Sequence, residues 1–428
     1  MLAGGFYLLA SWDIHKAKYE GKLLLWILVV GVAMRASMFV SSPILENDYC
    51  RYLWDGGVTA HGFNPYAFSP DEVLNGKSEK GSVPVSLIEL AHESGDLLSR
   101  VNHPDLRSIY PPVAQAGFVL AHWLGPWKLW AWRVVLLALD LITAVLIIQL
   151  LGVLHLSSLW LAIYWWNPLL TVEVINSGHM DLVLIPFLVA ALLWTIRHQT
   201  FLAILALALA TGAKFWPALL LPVILRPVLS HPRKLLLALI LFCLIGLILF
   251  APIYRTGLDE NSGVTAYAKN WEMNDALYLV VSWVTGTVLK SIEMSSVDVD
   301  LISRSAVAVF LIAWIAWLVR RQFRGAIELS EACFWVVAAL FMLSPTQFPW
   351  YYIWLLPFLV VRPTNSLMLM TAMLPLFYLR FYFMAINKEE VFDYGVVWIE
   401  FGPTLILLAR EWIVARRSHQ NGLAESVA

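Results

Sequence analysis

Charged residues are scarce in this chain. Asp, Glu, Lys and Arg make up 14% of its 428 residues and apolar residues 60%, against about a quarter and under half in soluble globular proteins. A wholly water-soluble enzyme is thereby excluded, and an integral membrane protein is implied. Neither sign of charge predominates: 29 basic residues stand against 30 acidic ones, a net charge of -1. No field exists to gather a polyanion, so nucleic acid is not expected as a partner. Cysteine is nearly absent as well. Cys50, Cys243 and Cys333 cannot build a disulfide framework; two of them fall in apolar runs, and they read as small core residues. The ten histidines are scattered, without CxxC or HExxH spacing, so no metal site is legible. A GxxxxGKS phosphate loop is also missing. Residues 2–10 are apolar but short and lack a preceding positive charge, which is not the pattern of a cleavable signal peptide.

Apolar runs are what the chain has in abundance. A bilayer crossing takes about 20 helical residues, and runs of that order recur at 23–41, 128–151, 157–175, 179–196, 234–252, 302–319, 331–345, 349–361, 366–385 and 395–415, with shorter ones at 111–125, 200–212 and 214–225. The expectation is an all-α, polytopic membrane protein of about ten to thirteen transmembrane helices in one domain spanning 1–428. Tryptophan and tyrosine cluster at run ends (Trp123 to Trp132, Trp160 to Trp166, Trp350 to Trp354), where aromatic belts sit.

Basic residues in short loops orient the spans. Lys16, Lys18 and Lys22, then Arg226, Arg233 and Lys234, then Arg320, Arg321 and Arg324, then Arg410, Arg416 and Arg417 predict cytoplasmic segments, including the N-terminus (1–22) and the tail (416–428). Residues 42–110 carry ten acidic and five basic side chains and are expected on the extracytoplasmic side, as is a second long loop at 253–300. Between 111 and 225 the parity does not resolve, and the side of residues 176–181 stays open. Long ordered loops tend to carry function, which directs attention to the extracytoplasmic face. No internal repeat is evident.

The first loop opens on Glu46-Asn47-Asp48. Asn47 or Asp48 is placed to cap a short helix through Trp54, with Asp48, Tyr52 and Asp55 on one face, Arg51 four residues before Asp55, and Gly56 and Gly57 to stop it. Two readings of Glu46 and Asp48 stand side by side: an acidic helix start favoured by the dipole, or a general base whose pKa is raised at a low-dielectric boundary. Lys214 is the strongest candidate for a phosphate, because a lone cation in an apolar stretch is costly and Gly212 and Pro217 mark a helix break around it; a snorkelling lysine is the alternative. His179 and Asp181 follow Gly178 between two runs and suit sugar hydroxyls or phosphate, or else a solvated histidine and a helix cap. Asp140 is expected to be buried and paired with Arg133 or another polar group, and Glu173 is read similarly, closer to the site. Tyr110 before Pro111 and Pro112 makes a rigid turn back into the membrane. Gln347, Trp350 and Tyr351 begin a late run, suited to stacking on a pyranose or to an interfacial belt. Asn64-Pro65-Tyr66 is expected to shape the loop by a turn.

The order ENDYCRYLWDG (46–56), GFNPY (62–66), SIYPPVAQ (108–115), NPLLTVEVINSGHMD (167–181), ATGAKFWPALLLP (210–222) and SPTQFPWYYIWLLPF (344–358) resembles membrane glycosyltransferases of the GT-C superfamily. It is similar in character to the catalytic subunit of GPI mannosyltransferase I and its bacterial polyprenyl-phosphate-mannose-dependent relatives. The likeness covers about residues 22–360 as sparse motifs, and the usual DxD is here Glu46-Asn47-Asp48. The resemblance implies a GT-C fold and an inverting transfer of a hexose, most often mannose. The donor is a polyprenyl or dolichyl phosphate, and the acceptor a hydroxyl of a lipid, glycan or protein on the extracytoplasmic side, here of a bacterial inner membrane. By analogy Asp48 takes the acceptor proton and Glu46 orients it. Lys214, His179, Asp181, Arg51, Tyr110, Gln347 and Tyr351 are the candidates for donor phosphate or sugar. No cofactor is expected, since superfamily members with lipid-monophosphate donors generally use none, although Glu46 and Asp48 are the pair placed to hold a divalent metal. A transporter or flippase would share the many spans and the intramembrane Asp140, Asp181 and Lys214; the long first loop and the missing repeat speak against it. An O-antigen ligase or polymerase would be expected to rely on a large late loop with arginine and histidine, and 253–300 offers Arg255 but no histidine.

Overall fold

The computed structural model describes residues 1–428 except 15, 16, 18–20, 44, 45, 79, 80, 295, 322, 324 and 426–428, and of 415–425 the backbone alone. Helices make up nearly all the regular structure described, beside one ladder of Lys77–Ser78 against Gly81–Ser82. Among the described residues seven helices are long and apolar enough to cross a membrane: Gly21–Val40, Leu129–Val153, Pro232–Thr256, Val299–Arg320, Ala326–Leu343, Asn365–Ala385 and Glu389–Val414. In Pro232–Thr256 only 11% of the most apolar window is buried, and Leu236, Leu237, Ile240, Leu244, Leu247 and Ile248 stand exposed. Water does not tolerate such a face and lipid does. The chain is an all-α, multi-pass integral membrane protein.

The expected ten to thirteen spans become seven among the described residues, or eight if Leu170–Asn176 and Met180–Ile196, bent by 102°, count as one. Three apolar helices, Thr200–Ala213, Trp216–Val228 and Ala276–Ser291, fall short of span length. Interruptions account for the difference. Pro168 follows the end of Leu161–Trp165, and Asn167 Oδ1 takes the N–H groups of Leu169 and Leu170 to start the next turn. Gly178 reverses the chain with φ +79°, a value glycine adopts without strain. Lys214 is extended (φ -156°), and residues 349–361 form only a six-residue 3-10 turn and a four-residue helix. Apolarity continues across each break, so hydropathy alone does not register it.

The first loop is folded. Its first helix, Tyr49–Ala60, does not stop at Gly56 and Gly57 as expected but runs through them. A Cβ on Gly56 would lie 2.4 Å from the Phe118 carbonyl oxygen, and one on Gly57 2.1 Å from Trp127 Cη2. These glycines admit the neighbouring helix Pro112–Leu124 and the turn after it. Asn64 Oδ1 accepts from the Tyr66 N–H at 3.0 Å, the expected turn, and Tyr66 Oη donates to the Tyr110 carbonyl at 2.7 Å. The segment 253–300 is less of a loop than expected: the span before it runs to Thr256 and Ala276–Ser291 is helical. Arg107 pairs with Asp259 and its N–H donates to the Asn261 carbonyl at 3.0 Å, docking the two loops. Cys50 and Cys333 are buried, but Cys243 is exposed on its span and is not a core residue. Asp140 pairs with Arg35 and accepts from Tyr164 Oη at 2.8 Å, while Arg133 donates to the Phe39 and Asn176 carbonyls. Among the residues used for orientation, Lys16, Lys18 and Arg324, and the side chains of Arg416 and Arg417, lie outside the described residues.

Candidate active site

The end of the first loop and the helix breaks converge. Asp48 precedes helix Tyr49–Ala60, and its main-chain carbonyl takes the Arg51 N–H at 2.9 Å. Its carboxylate makes no cap bond and is left to other partners. Asn102 Nδ2 donates to Asp48 Oδ1 at 3.1 Å and to Asn47 Oδ1 at 2.6 Å. Asp48 Oδ2 lies 3.8 Å from His179 Nδ1.

His179 is delivered by the reversal at Gly178, whose carbonyl is held by Trp132 Nε1 at 2.6 Å. The ring is completely buried, not solvated, and stacks on Trp350 with centroids 3.8 Å apart and planes 10° apart. Its Nε2 lies 3.7 Å from Glu173 Oε2, and Tyr378 Oη donates to both Glu173 oxygens at 3.0 and 2.8 Å. Neither ring nitrogen has a hydrogen-bond partner among the described residues. The imidazole is thus clamped by stacking between two carboxylates. Asn176 Nδ2 donates to Ser41 Oγ at 2.6 Å, so residues 176–181 share the side of the membrane on which the first loop begins.

Lys214 sits where helix Thr200–Ala213 ends. A Cβ on Gly212 would come within 2.7 Å of Val113 and 2.8 Å of Leu249, so glycine lets three helices close around the break. The ammonium pairs with Asp181, which also accepts from Trp354 Nε1 at 2.8 Å; Asp181 is an ion-pair partner, not a cap. The ammonium also lies 3.7 Å from the Tyr351 ring centroid and 4.7 Å from that of Trp354, favourable cation–π geometry. Tyr351 Oη is 2.9 Å from Tyr267 Oη. The Lys214 side chain is 20% exposed against 2% for Asp181, so the lysine is the more exposed member of the pair.

Burial pushes the Asp48 carboxyl above the usual carboxylate range; the Asn102 hydrogen bond opposes this, the Asp181 charge adds to it, and the charges of His103 and Lys214 oppose it. Burial, then the charges of Asp48 and Glu173, push Glu46 up to about 8. Both carboxyls at the start of the first loop are thus pushed up chiefly by burial, the direction that moves a carboxyl toward general-base work.

Six of the candidates meet here: Asp48, Glu46, His179, Asp181, Lys214 and Tyr351. Tyr110 borders them, edge-on to Tyr52 with centroids 5.0 Å apart. Two are held elsewhere. Arg51 Nε bonds Asp55 Oδ1 at 3.0 Å and its Nη2 the Leu106 carbonyl at 3.0 Å, bracing the loop. Gln347 is completely buried and gives both amide hydrogens to the Met342 and Ser344 carbonyls, each at 3.0 Å. Sequence reasoning did not bring Asn102, Trp354 or Tyr378 to the site, and it left Glu173 as a neighbour without a part. Glu173 had a signal, lying six residues before His179 in one motif; Tyr378 had none. Among the described residues no three His, Cys, Asp or Glu side chains group as metal ligands; Glu46 and Asp48 are the pair able to offer oxygens to a divalent cation.

No family model, no curated protein and no solved structure matches this chain.

Proposed function

We propose that the chain is a GT-C-type inverting glycosyltransferase that moves a hexose, mannose first, from a polyprenyl-phosphate donor to an acceptor hydroxyl on the extracytoplasmic face of a bacterial inner membrane. One observation carries this reading: a carboxylate at the mouth of the first loop and a lysine in an apolar stretch meet at a single buried, aromatic-walled site.

Each residue then has a task set by its position. Asp48 removes the acceptor proton as the acceptor oxygen attacks the anomeric carbon, while the bond from that carbon to the phosphate oxygen breaks on the opposite face. The electron pair leaves with the phosphate, where Lys214 meets the growing charge. A point charge of this kind suits a phosphate, and it stabilises the transition state more than the ground state because charge develops there. The incoming phosphate competes with Asp181 for the ammonium, so Asp181 keeps Lys214 charged and aimed until the donor arrives. His179, 3.8 Å from Asp48 and 3.7 Å from Glu173, orients the base, and such contacts commonly tighten only once substrate closes the site. Trp350, Tyr351 and Trp354 wall the site, their faces taken by His179 and Phe348, by the Lys214 ammonium and by each other, so their part is to hold the histidine and the lysine in place. The donor supplies the driving force, consistent with the missing nucleotide motif.

The test is incubation of the purified protein in lipid with radiolabelled polyprenyl-phosphate mannose and a membrane-lipid acceptor extract, wild type beside Asp48→Asn. Label passing to a new lipid or glycan with wild type alone supports the reading. No transfer from mannose, glucose or arabinose donors, together with no donor-induced rise in melting temperature, would overturn it in favour of transport.

A further inference from the structure

Away from this site, several polar side chains are buried with their oxygens bare. Asn274 is 1% exposed, and Gln347, Glu400 and Thr404 are wholly buried. Glu400 lies inside the span Glu389–Val414, where an ionisable group asks for a partner.

The hydrogen bonds determine which atoms are left over. Asn274 Nδ2 gives its hydrogens to Glu400 Oε1 at 2.9 Å and the Gln347 carbonyl at 3.0 Å, which fixes the amide's orientation and turns Oδ1 away as an acceptor. Gln347 spends both of its hydrogens on the Met342 and Ser344 carbonyls, leaving Oε1. Glu400 has Oε2 remaining. Thr404, one turn on, departs from its kind: Thr143, Thr195 and Thr211 each donate to the carbonyl four residues back, but the Thr404 hydroxyl does not. Among the described residues, Asn274 Oδ1, Gln347 Oε1, Glu400 Oε2 and Thr404 Oγ1 all lack a hydrogen-bond partner, and no Lys, Arg or His forms an ion pair with Glu400.

Each bare buried acceptor carries a desolvation cost, and a proton on Glu400 would relieve few of them. A cation relieves each oxygen it reaches, since it needs oxygens and no donors, and the bonds from Asn274 to Glu400 and to the Gln347 carbonyl bring three of these residues together. One carboxylate among three neutral oxygens is balanced by a single positive charge; a divalent ion would leave net charge in a low-dielectric region. We propose that Asn274, Gln347, Glu400 and Thr404 form a buried site for a monovalent cation of the sodium class. The ion would tie residues 273–274 and 345–347, already joined by Met273 N–H to the Pro345 carbonyl and Gln347 N–H to the Met273 carbonyl, both 2.9 Å, to the last span. Tyr351, on the wall of the candidate active site, begins four residues later. The cation site stands whatever reaction that wall serves.

The experiment is thermal unfolding of the full chain in lipid nanodiscs, with sodium chloride titrated against choline chloride at constant ionic strength. Sodium is expected to raise the midpoint saturably by ~3 °C or more. Glu400→Gln should abolish that rise, and Thr404→Val should raise the half-saturating sodium concentration at least about fivefold through loss of one ligand oxygen. Equal midpoints in sodium and choline would overturn the proposal, as would a wild-type midpoint that follows pH but not sodium, or a Glu400→Gln protein that keeps the shift. Should Glu400→Gln not fold, Thr404→Val decides, and unchanged half-saturation in that variant overturns the site.

Discussion

Replacing Lys214 with Met removes the ammonium that faces Asp181 while keeping most of the side chain's volume. Asp181 is then a carboxylate 2% exposed, left with the indole of Trp354 at 2.8 Å. Deleting one partner of a buried pair costs about 3–5 kcal/mol. Because the Lys214 side chain is 20% exposed, water already screens part of the attraction, and the lower end, about 3 kcal/mol, applies. For a chain of this size each kcal/mol moves the midpoint by roughly 1–2 °C, so Lys214→Met should melt about 3–6 °C below wild type. Adding Asp181→Asn removes the stranded charge and keeps an oxygen for the Trp354 indole, so the double variant should regain about two thirds of the loss. Sugar transfer should stay absent in both, because neither retains the cation for the phosphate. The assay is a thermal double-mutant cycle on detergent-purified protein, with transfer measured on the same samples. A Lys214→Met protein as stable as wild type, a double variant no more stable than the single, or transfer regained in the double would refute the reasoning.

Three other outcomes follow from the geometry. Glu173→Gln keeps an acceptor for Tyr378 but replaces the carboxyl on one side of His179 with an amide, so kcat should fall about 10- to 100-fold with KM little changed; unchanged kcat would remove Glu173 from the base's support. Glu46, pushed up to about 8 chiefly by burial, is neutral at pH 7 and ionises as pH rises through that value. The new negative charge opposes the departing phosphate, so turnover should fall across that range in wild type and not in Glu46→Gln; a fall that persists in Glu46→Gln would assign it to another group. Gly57→Ala sets a Cβ 2.1 Å from the Trp127 ring and should cost about 1–3 kcal/mol of stability through overpacking, read as a lowered melting midpoint; an unshifted midpoint would mean that the ring yields freely.

Asp48, His179, Asp181 and Lys214 were legible one at a time because each is a polar or charged residue at the edge of an apolar run, beside a glycine, a proline or a loop. Their grouping was not, since the contact of Lys214 with Asp181, or of His179 with Asp48, is a tertiary fact that no local periodicity encodes. Arg51 and Gln347 occur in the same motifs and have the same hydrogen-bonding capacity, yet nearby groups absorb them: Asp55 and the Leu106 carbonyl in one case, the Met342 and Ser344 carbonyls in the other. Gly56 and Gly57 show how one residue type serves two ends, since a glycine that reads as a helix stop can equally admit a neighbouring helix. Of the partners expected for buried Asp140, Arg133 or another polar group, it is Arg35 that takes the place, from a span 105 residues earlier in the chain.

The central claim is that Asp48 acts on the acceptor while other residues hold the donor. It is tested most directly by measuring donor affinity and single-turnover transfer on one sample of Asp48→Asn in lipid. The predicted result is polyprenyl-phosphate mannose bound as tightly as by wild type and transferred at least ~100-fold more slowly. Transfer at the wild-type rate would contradict the account.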